Sequence, residues 1–312
     1  MPKALIVGCS GQDGTYLSKL LAEKGYEVIG IGRTPPFAGI DISDPSAVMG
    51  LVGRLTPDEI YYLASFYPSP EDAKISDLEW VRKSLEVHTL ALNNFLYAIP
   101  QVSSNSRLFY AASCFVFGNP SAAPQDETTP MDPSCPYGIS KAAGVQLCRY
   151  YRETRNVYGS VGILYNHESP LRRAQFVTKK VAKAAADIKR GLQDKVVLGN
   201  LDVAVDWGYA PDYVAAMWSI LQLEEAGDFI IASGGVHTVR ELVETAFQVV
   251  GLPWQDYIRE DPGLLKRQRP QGILQGNARK LQRLTGWRPQ MPFANMIREM
   301  VLAEMRNSGE RS

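Results

Sequence analysis

Short apolar runs alternate with stretches of helical periodicity along the first half of the chain. KALIVG is typical of a buried parallel strand, and GQDGTYLSKLLAEKGY places Tyr16, Leu17, Leu20 and Leu21 on one helical face. Further strands are predicted at EVIGIGR, EIYYLAS, RLFYAAS and VGILYN, and helices at PSAVMGLVGRL, SLEVHTLALNNFLYAI and SKAAGVQLCRYYRETR. The alternation predicts an α/β fold of Rossmann type, with a doubly wound parallel sheet and helices on both faces.

The pattern becomes less regular after Asn166. FVTKKVAKAAADIKRG and APDYVAAMWSILQLEEA have helical spacing, and KVVLGN and DFIIASG have the character of strands. TVRELVETAFQVVGL begins with Thr238 and carries Glu241 three residues later, which is a capping-box spacing. We therefore expect a dinucleotide-binding domain at 1–165, with returning segments near 204–233, and mainly a smaller α/β substrate-binding cap at 166–312.

Composition narrows the classes of function. The 312 residues carry 33 basic and 33 acidic side chains, which argues against general nucleic-acid binding. No apolar stretch is long enough to span a bilayer, and MPKALIVG lacks the apolar region of a signal peptide. The four cysteines form no CxxC pair and have no histidine at metal-ligand spacing, so we expect no metal site and free thiols in the cytoplasm.

A glycine pattern follows the first predicted strand and opens the first helix. Gly8, Gly11 and Gly14 have GxxGxxG spacing, with Gln12 and Asp13 inside it. Glycines allow a tight turn and close approach to a pyrophosphate, and the helix N-terminus offers N–H groups to that anion. This context predicts a dinucleotide cofactor; the alternative is a tight strand–helix turn without a ligand.

The end of the second strand indicates which nicotinamide cofactor is bound. An acidic residue there would bind the ribose 2′-hydroxyl of NAD, but this chain has Arg33. A guanidinium can pair with a 2′-phosphate, so NADP is favoured, NAD is possible, and a solvated surface charge is the alternative. Asp41 and Ile42 lie one loop later, where a side chain could reach the adenine.

PYGISK places a tyrosine and a lysine on one helical face. Pro136 can begin a helix, and Tyr137 and Lys141 are then at positions i and i+4. The ammonium group is expected to lower the tyrosine pKa and so make it a proton carrier. Ser113 ends the fourth predicted strand, at the edge of the sheet where ligands bind. Together the three residues predict a reactive site, although the pair alone could be an ordinary helix face.

The chain resembles the extended short-chain dehydrogenase/reductases that act on nucleotide sugars, and within them the GDP-mannose 4,6-dehydratase branch. The resemblance covers nearly the whole length and rests on GCSGQDGTYLSKLLAEKGYEVIGIGR, YNHESPLRRAQFVTKKV, LGNLDVAVDWGYAPDYV and DFIIASGGVHTVRELV. The short loop after the second strand and the total length are more similar to the GDP-4-keto-6-deoxymannose reductases. The resemblance implies a GDP-linked hexose between sheet domain and cap, and a homodimer or tetramer formed through two central helices.

The resemblance also implies roles for individual residues. Ser113 would bond the sugar O4, Tyr137 would move its proton, and Lys141 would hold the nicotinamide ribose, while hydride passes at sugar C4. An arginine of KRQRP, Arg267 or Arg269, would complete a phosphate clamp. The other cofactor positions implied are Leu63, Ala64, Ser65 and His167, and the other substrate positions are Cys114, Phe115, Asn166, Val177 and Lys180.

Three positions depart from the pattern of that branch. Its members have a glutamate as the base for C5, where this chain has Phe115, and phenylalanine cannot accept a proton. Cys114 is a poor substitute base at its usual pKa. Phe66 and Tyr67 stand where small polar groups face the sugar, and Val205 stands where an arginine lies near the diphosphate.

Three functions are compatible with these residues. The first is a C4 oxidoreductase, in the simplest case a 4-keto-sugar reductase, which requires only Ser113, Tyr137, Lys141 and the nicotinamide. The second is GDP-mannose 4,6-dehydration proper, which overall resemblance favours and Phe115 opposes. The third is a non-catalytic binder of nucleotide sugar and NADP, which the intact Tyr137–Lys141 pair opposes.

Overall fold

Strands and helices alternate through the first half of the protein. The computed structural model describes residues 1–32, 39–68, 75–264 and 272–307. Its strands are β1 (Lys3–Val7), β2 (Glu27–Ile31), β3 (Glu59–Tyr62), β4 (Arg107–Ser113), β5 (Gly159–Leu164), β6 (Asn166–Glu168), β7 (Val196–Leu198), β8 (Ala204–Tyr209), β9 (Asp228–Ile231), β10 (Val236–Thr238) and β11 (Ile258–Glu260). Its α-helices are α1 (Gln12–Glu23), α2 (Pro45–Leu55), α3 (Asp77–Leu85), α4 (Ala91–Val102), α5 (Pro136–Arg155), α6 (Val177–Lys189), α7 (Ala210–Leu221), α8 (Val239–Val250), α9 (Arg279–Thr285) and α10 (Phe293–Asn307).

The main sheet has the order β2-β1-β3-β4-β5-β9, and all its neighbouring strands are parallel. Successive residues of a strand point to opposite faces, and both faces are buried. Leu5 and Ile60 belong to the core shared with α2, α4 and α5. Ile6 and Phe109 belong to the core shared with α1 and α7. The predicted doubly wound α/β sheet is confirmed.

The direction of winding reverses at β1, because β2 lies on one side of it and β3 on the other. In open α/β sheets this reversal leaves a crevice beyond the carboxyl ends of the strands. The turn that follows β1 and the segment that follows β3 both reach this crevice.

A smaller unit forms around β8, which pairs with β6 in parallel and with β10 antiparallel. Helices α6, α8 and α10 enclose a separate apolar core beside it. The predicted capping box at the start of α8 is confirmed. The Thr238 hydroxyl accepts from the Glu241 amide at 3.1 Å, and the Glu241 carboxylate accepts from the Thr238 amide at 3.0 Å.

The chain returns from this cap to the main sheet. β9 pairs with β5, with Asp228 opposite Val161. Helix α7 packs with α1 in the same core, through Tyr213 and Met217. The segments expected to return near 204–233 therefore divide between the two units, because β8 remains in the cap. The division at residue 165 into two domains stays a prediction.

The helix predicted over SLEVHTLALNNFLYAI contains a wide turn. A π-helical turn at Glu86–Leu90 joins α3 to α4 and carries the fully buried His88. Such turns are often found at functional sites. No helix among the described residues is both long and apolar enough to cross a lipid bilayer.

Candidate active site

A cavity of about 400 Å³ lies between the main sheet and the cap. It is lined by residues that follow β1, β3, β4 and β5 and by residues of the cap. Predicted site residues that line it are Asp13, Leu63, Ser65, Ser113, Cys114, Phe115, Tyr137, Lys141, Asn166, His167, Val177 and Lys180. Residues separated by more than a hundred positions in sequence are thus brought to one crevice.

The glycine turn after β1 is closely packed. Gly8 has φ +94°, and a Cβ atom there would lie 2.8 Å from the Ala64 nitrogen. A Cβ at Gly14 would lie 2.5 Å from Cys9 Cα and from the Gly8 carbonyl oxygen. No side chain caps the N-terminus of α1, so its first amide groups are available to an anion. These features fit the pyrophosphate of a dinucleotide.

Helix α5 begins beside the turn that follows β4. Pro136 occupies the first helical position, and the Cys135 sulfur accepts a hydrogen bond from the Gly138 amide at 3.4 Å. A Cβ atom at Gly138 would lie 2.4 Å from the Phe115 carbonyl oxygen. This close approach sets Tyr137 against the turn that carries Ser113 and Phe115.

Lys141 is buried under Tyr137, with 1% of its surface exposed. Its Nζ atom donates to the Ala111 carbonyl oxygen at 2.7 Å and lies 5.7 Å from the centroid of the Tyr137 ring. Burial lowers the pKa of Lys141 to about 7, although the negative charge of Asp13 acts in the opposite direction. The lysine therefore changes charge near neutral pH.

The lowered pKa expected for Tyr137 is wrong. Burial raises the pKa of Tyr137 to about 12, and side-chain hydrogen bonds with Ser65 and Ser113 offset only part of that effect. Sequence spacing showed that Tyr137 and Lys141 share a face, but it could not show how completely both are removed from water. Tyr137 is thus a protonated phenol at neutral pH, suited to donate a proton.

His88 lies behind Tyr137 and was not found from the sequence. Its ring meets the Tyr137 ring edge-on, with centroids 5.1 Å apart. Nε2 accepts from the Phe66 amide at 2.9 Å, so it is unprotonated, and Nδ1 donates to the Ser140 hydroxyl at 2.8 Å. Burial lowers the pKa of His88 well below its usual value. A neutral imidazole therefore joins the segment after β3 to α5.

Aromatic side chains form one wall of the cavity. The Tyr67 ring lies 4.7 Å from Tyr137, 6.0 Å from Phe115 and 6.1 Å from Phe176, between ring centroids. The Arg172 guanidinium lies 3.8 Å from the centroid of Phe176. The wall next to Tyr137 is thus built of aromatic rings. Tyr67 lies there as expected, but Phe66, which was also expected to face the sugar, is not among the lining residues.

The three carboxylates that line the cavity are already bonded within the protein. Asp13 accepts from His167 at 2.9 Å, and Glu168 lies 3.0 Å from Arg172. Asp206 accepts from three backbone amides, those of Ser233, Gly234 and Gly276. Cys114 is fully buried, and burial raises its pKa to about 12. Among the described lining residues, no acidic side chain is left without such bonds to act as a base.

Cationic and amide side chains line the cap side of the cavity. Arg172 and Arg173 line the cavity together with the predicted Lys180 and Asn166, and Val205 is also a lining residue. The two arginines follow directly on NHESPL, so the motif itself could have pointed to them. The predicted cofactor residue Arg33 and the predicted clamp residues Arg267 and Arg269 lie outside the described residues.

Seven of the described cofactor residues predicted from the sequence do not line the cavity: the three glycines of the turn, Gly8, Gly11 and Gly14, and also Gln12, Asp41, Ile42 and Ala64. Ala64 packs its backbone against Gly8. Gln12 turns its amide to the cap, where it donates to the His167 carbonyl oxygen at 3.1 Å and accepts from Ser169 at 2.8 Å. Two more lie in the loop before α2: the Asp41 carboxylate accepts from the Ser43 amide at 2.9 Å, and the Ile42 carbonyl accepts from Asn94 at 2.9 Å.

Comparison with known protein families identifies one match over most of the chain. The family model described as GDP-mannose 4,6 dehydratase matches residues 5–300. GDP-mannose 4,6 dehydratase of Cricetulus griseus is 38% identical, over 97% of this chain and 91% of that protein. GDP-mannose 4,6 dehydratase 2 of Arabidopsis thaliana is 36% identical, over 96% of this chain and 85% of that protein.

Solved structures with the same fold include proteins that bind nicotinamide dinucleotides. RMD from Pseudomonas aeruginosa, complexed with NADPH, has a TM-score of 0.83 and 24% identity, over 98% of this chain and 100% of that chain. The dTDP-glucose 4,6-dehydratase from Bacillus anthracis, in complex with NAD, has a TM-score of 0.82 and 16% identity, over 99% and 98%. At these identities the likeness concerns the fold.

Proposed function

The chain belongs to the GDP-mannose 4,6-dehydratase family, as its motifs predicted, and we propose that it is an NAD(P)-dependent oxidoreductase acting at C4 of a nucleotide-linked hexose. In the simplest case it reduces a 4-keto sugar. One observation carries this proposal. Ser113, Tyr137 and Lys141 line one cavity, every acidic side chain described in its lining is bonded within the protein, and Phe115 stands where the resemblance places the base of the family.

Reduction needs a proton at the oxygen that becomes a hydroxyl. Tyr137 holds that proton at neutral pH, because burial raises its pKa to about 12. Ser113 shares a hydrogen bond with Tyr137 and is the second donor for the carbonyl oxygen. In its ammonium form, Lys141 places a positive charge 5.7 Å from the centroid of the Tyr137 ring, which favours the phenolate left after proton transfer.

The cofactor proposed is NADP, with NAD as the alternative. When bound it supplies the hydride. Three features support a dinucleotide site: the uncapped N-terminus of α1, the tight approach of Gly8 to Ala64, and the position of this turn where the sheet reverses its winding. Preference for the 2′-phosphate rests on Arg33 in the sequence.

The substrate proposed is a GDP-linked hexose. The cationic side chains of Arg172, Arg173 and Lys180, with the Asn166 amide, suit a diphosphate on the cap side of the cavity. Cys114, Phe115 and Val177 would bound the sugar or nucleoside, and Arg267 or Arg269 would complete the clamp. The guanine base rests on membership of the family.

Two assays distinguish reduction from dehydration. We expect purified protein to oxidise NADPH when given a GDP-4-keto-6-deoxyhexose, followed by absorbance. We expect GDP-mannose with NADP to show no loss of water by mass and no exchange of the C5 hydrogen in deuterated water. NADPH oxidation that persists in Tyr137→Phe would contradict the assignment.

GDP-mannose 4,6-dehydration is the second candidate, favoured by the family match over residues 5–300. It would need a proton acceptor for C5 other than the glutamate replaced by Phe115. Loss of water from GDP-mannose in the assay above would establish this candidate and refute our interpretation of Phe115.

We also propose a homodimer or tetramer in the cytoplasm. Large apolar side chains are exposed on adjacent helices of the sheet domain, namely Leu90, Tyr97, Ile139 and Tyr150. Exposed apolar patches of this kind are typical of protein–protein contacts. Light scattering should give a mass of at least two chains for the wild type, and the double variant Tyr97→Glu, Tyr150→Glu should give the mass of one chain.

The proposed location in the cytoplasm rests on the cysteines. The four cysteines are free thiols, which suits a reducing compartment.

A further inference from the structure

An acidic side chain lies at the place where the proposed cofactor anion would bind. Asp13 is in the first turn of α1, and its side chain lines the cavity. The uncapped N-terminus of this helix is the feature that suits a pyrophosphate. A carboxylate in the same turn would repel that anion unless its charge is compensated.

His167 compensates the negative charge of Asp13. The two hydrogen bonds of the His167 imidazole define the charge of that ring. Nδ1 lies 2.8 Å from the Tyr165 carbonyl oxygen, which can only accept. Nε2 lies 2.9 Å from Oδ2 of Asp13, and a carboxylate also only accepts. Both nitrogens therefore carry hydrogen, so His167 is an imidazolium cation.

The shifts in pKa agree with this geometry. Burial alone would lower the pKa of His167, but the charge of Asp13 and hydrogen bonds to Asp13 and Tyr165 outweigh burial and raise it. Burial alone would raise the pKa of Asp13, but His167, with smaller contributions from Gln12 and Arg172, outweighs burial and lowers it. Both shifts thus favour the charged form of the pair.

The other charged groups near this pair have partners of their own. Arg172 acts on both members but is paired with Glu168 at 3.0 Å. The neutral groups in contact are the Gln12 amide, 3.2 Å from Asp13 Oδ1, and the Tyr213 ring, stacked 4.6 Å from His167. The more distant Lys141 donates to the Ala111 carbonyl oxygen. Among the described residues, His167 is the cation that contacts Asp13 directly.

We propose that His167 is an electrostatic positioning residue for the dinucleotide. Its imidazolium neutralises Asp13 and thereby keeps the N-terminus of α1 attractive to the pyrophosphate. The inference rests on the proposed cofactor. The proposal explains how the N-terminus of α1 can bind an anion although its first turn carries Asp13. The compensating cation comes from β6, 154 residues away in sequence.

A double-mutant cycle tests the proposal through binding rather than turnover. Dissociation constants for NADPH are measured by fluorescence titration for wild type, His167→Asn, Asp13→Asn and the double variant. We expect His167→Asn to weaken binding roughly tenfold or more when Asp13 is present. The same change in the Asp13→Asn background should weaken binding by less than about threefold, because no charge is left to compensate.

Affinity should also depend on pH in a defined direction. In the wild type it should fall as pH rises through the raised pKa of His167, since Asp13 is then uncompensated. The double variant should lack this fall. Equal losses from His167→Asn in both backgrounds would overturn the proposal.

A second measurement does not depend on any variant folding. The chain has three histidines, so nitrogen-15 NMR of the imidazole rings can resolve each one. We expect the ring assigned to His167 to be predominantly doubly protonated at pH 6.5, because its pKa is raised above that value; if that ring carries hydrogen on only one nitrogen there, the proposal fails. Wild type that binds neither NADPH nor NADH would refute the proposed function and this inference together, whereas normal binding without coupling would refute the inference alone.

Discussion

The Nζ atom of Lys141 lies 5.7 Å from the centroid of the Tyr137 ring, yet its hydrogen bond goes to the Ala111 carbonyl oxygen. The backbone of β4 thus holds the Lys141 ammonium group in place beside the Tyr137 ring. Both are removed from water, and burial opposes the charged form of each. The packing that positions Tyr137 and Lys141 therefore also favours the neutral form of each side chain.

Burial of Lys141 costs stability in a manner that depends on pH. Its pKa is about 7 in the folded protein and about 10.4 when unfolded, so the unfolded chain binds more protons between these values. Stability should thus rise with pH in this window. Relative to Lys141→Met, wild type should gain about 2 kcal/mol between pH 7 and pH 9 in urea unfolding. A constant difference between the two proteins would contradict the assigned pKa.

Removal of the Tyr137 hydroxyl should abolish proton transfer. We expect Tyr137→Phe to lower kcat by about 10²- to 10⁴-fold and NADPH affinity far less, because the change removes one proton donor. Tyr62→Phe is the matched control. That hydroxyl donates to the Val87 carbonyl oxygen away from the cavity lining, so its loss should affect stability more than turnover. Comparable kcat values for the two variants would show that Tyr137 is not the proton donor of the reaction.

The Asp13–His167 pair predicts a stability contribution confined to intermediate pH. The folded pKa of His167 is raised, so its contribution is complete below its usual value of about 6.5 and is lost as pH rises through the raised pKa. The pKa of Asp13 is lowered, so its contribution is present above about 3.8 and is lost as pH falls through the lowered pKa. The effect is measured as the free energy of unfolding across this pH range, for wild type and for the double variant Asp13→Asn, His167→Asn. If the two curves run parallel with pH, the pair contributes no pH-dependent stability and the prediction is wrong.

Contact between α5 and the turn after β4 can be tested with one methyl group. A Cβ atom at Gly138 would lie 2.4 Å from the Phe115 carbonyl oxygen, so Gly138→Ala should cost about 1–3 kcal/mol of stability and lower turnover. Gly50→Ala in α2 meets no atom within 4 Å and should stabilise by up to about 1 kcal/mol. Chemical denaturation of both variants checks the contrast, and equal effects would show that α5 can shift freely.

Periodicity was sufficient to predict the main sheet and most of its helices. It could not predict the wide turn at Glu86–Leu90, because that turn keeps the apolar spacing of the surrounding helix. It also missed β6, β10 and β11, whose three residues each carry too little pattern, and the six-residue strand β8. β8 pairs with β6 and β10, and β11 pairs with β7, so these strands depend on neighbours distant in sequence.

The residues proposed as catalytic could be selected from the sequence because each lies at the end of a strand or in the first turns of a helix at a recognisable spacing. Ser113, Tyr137 and Lys141 do line one cavity. The compensation of Asp13 by His167 could not be inferred in the same way, since it arises from packing of α1 against β6. The direction of the Tyr137 pKa shift was predicted wrongly for a related reason: burial is a property of the whole fold.

The return of the chain through α7 and β9 has a consequence for dissecting this protein. A fragment that stops at Leu164 would lack β9, which is the hydrogen-bonded neighbour of β5. It would also lack α7, which packs against the apolar side of α1. Bare strand edges of this kind recruit other chains. The first half expressed alone should therefore precipitate, and a chimera that exchanges caps between relatives should keep the residues from Ala210 to Ile231 with the sheet they complete.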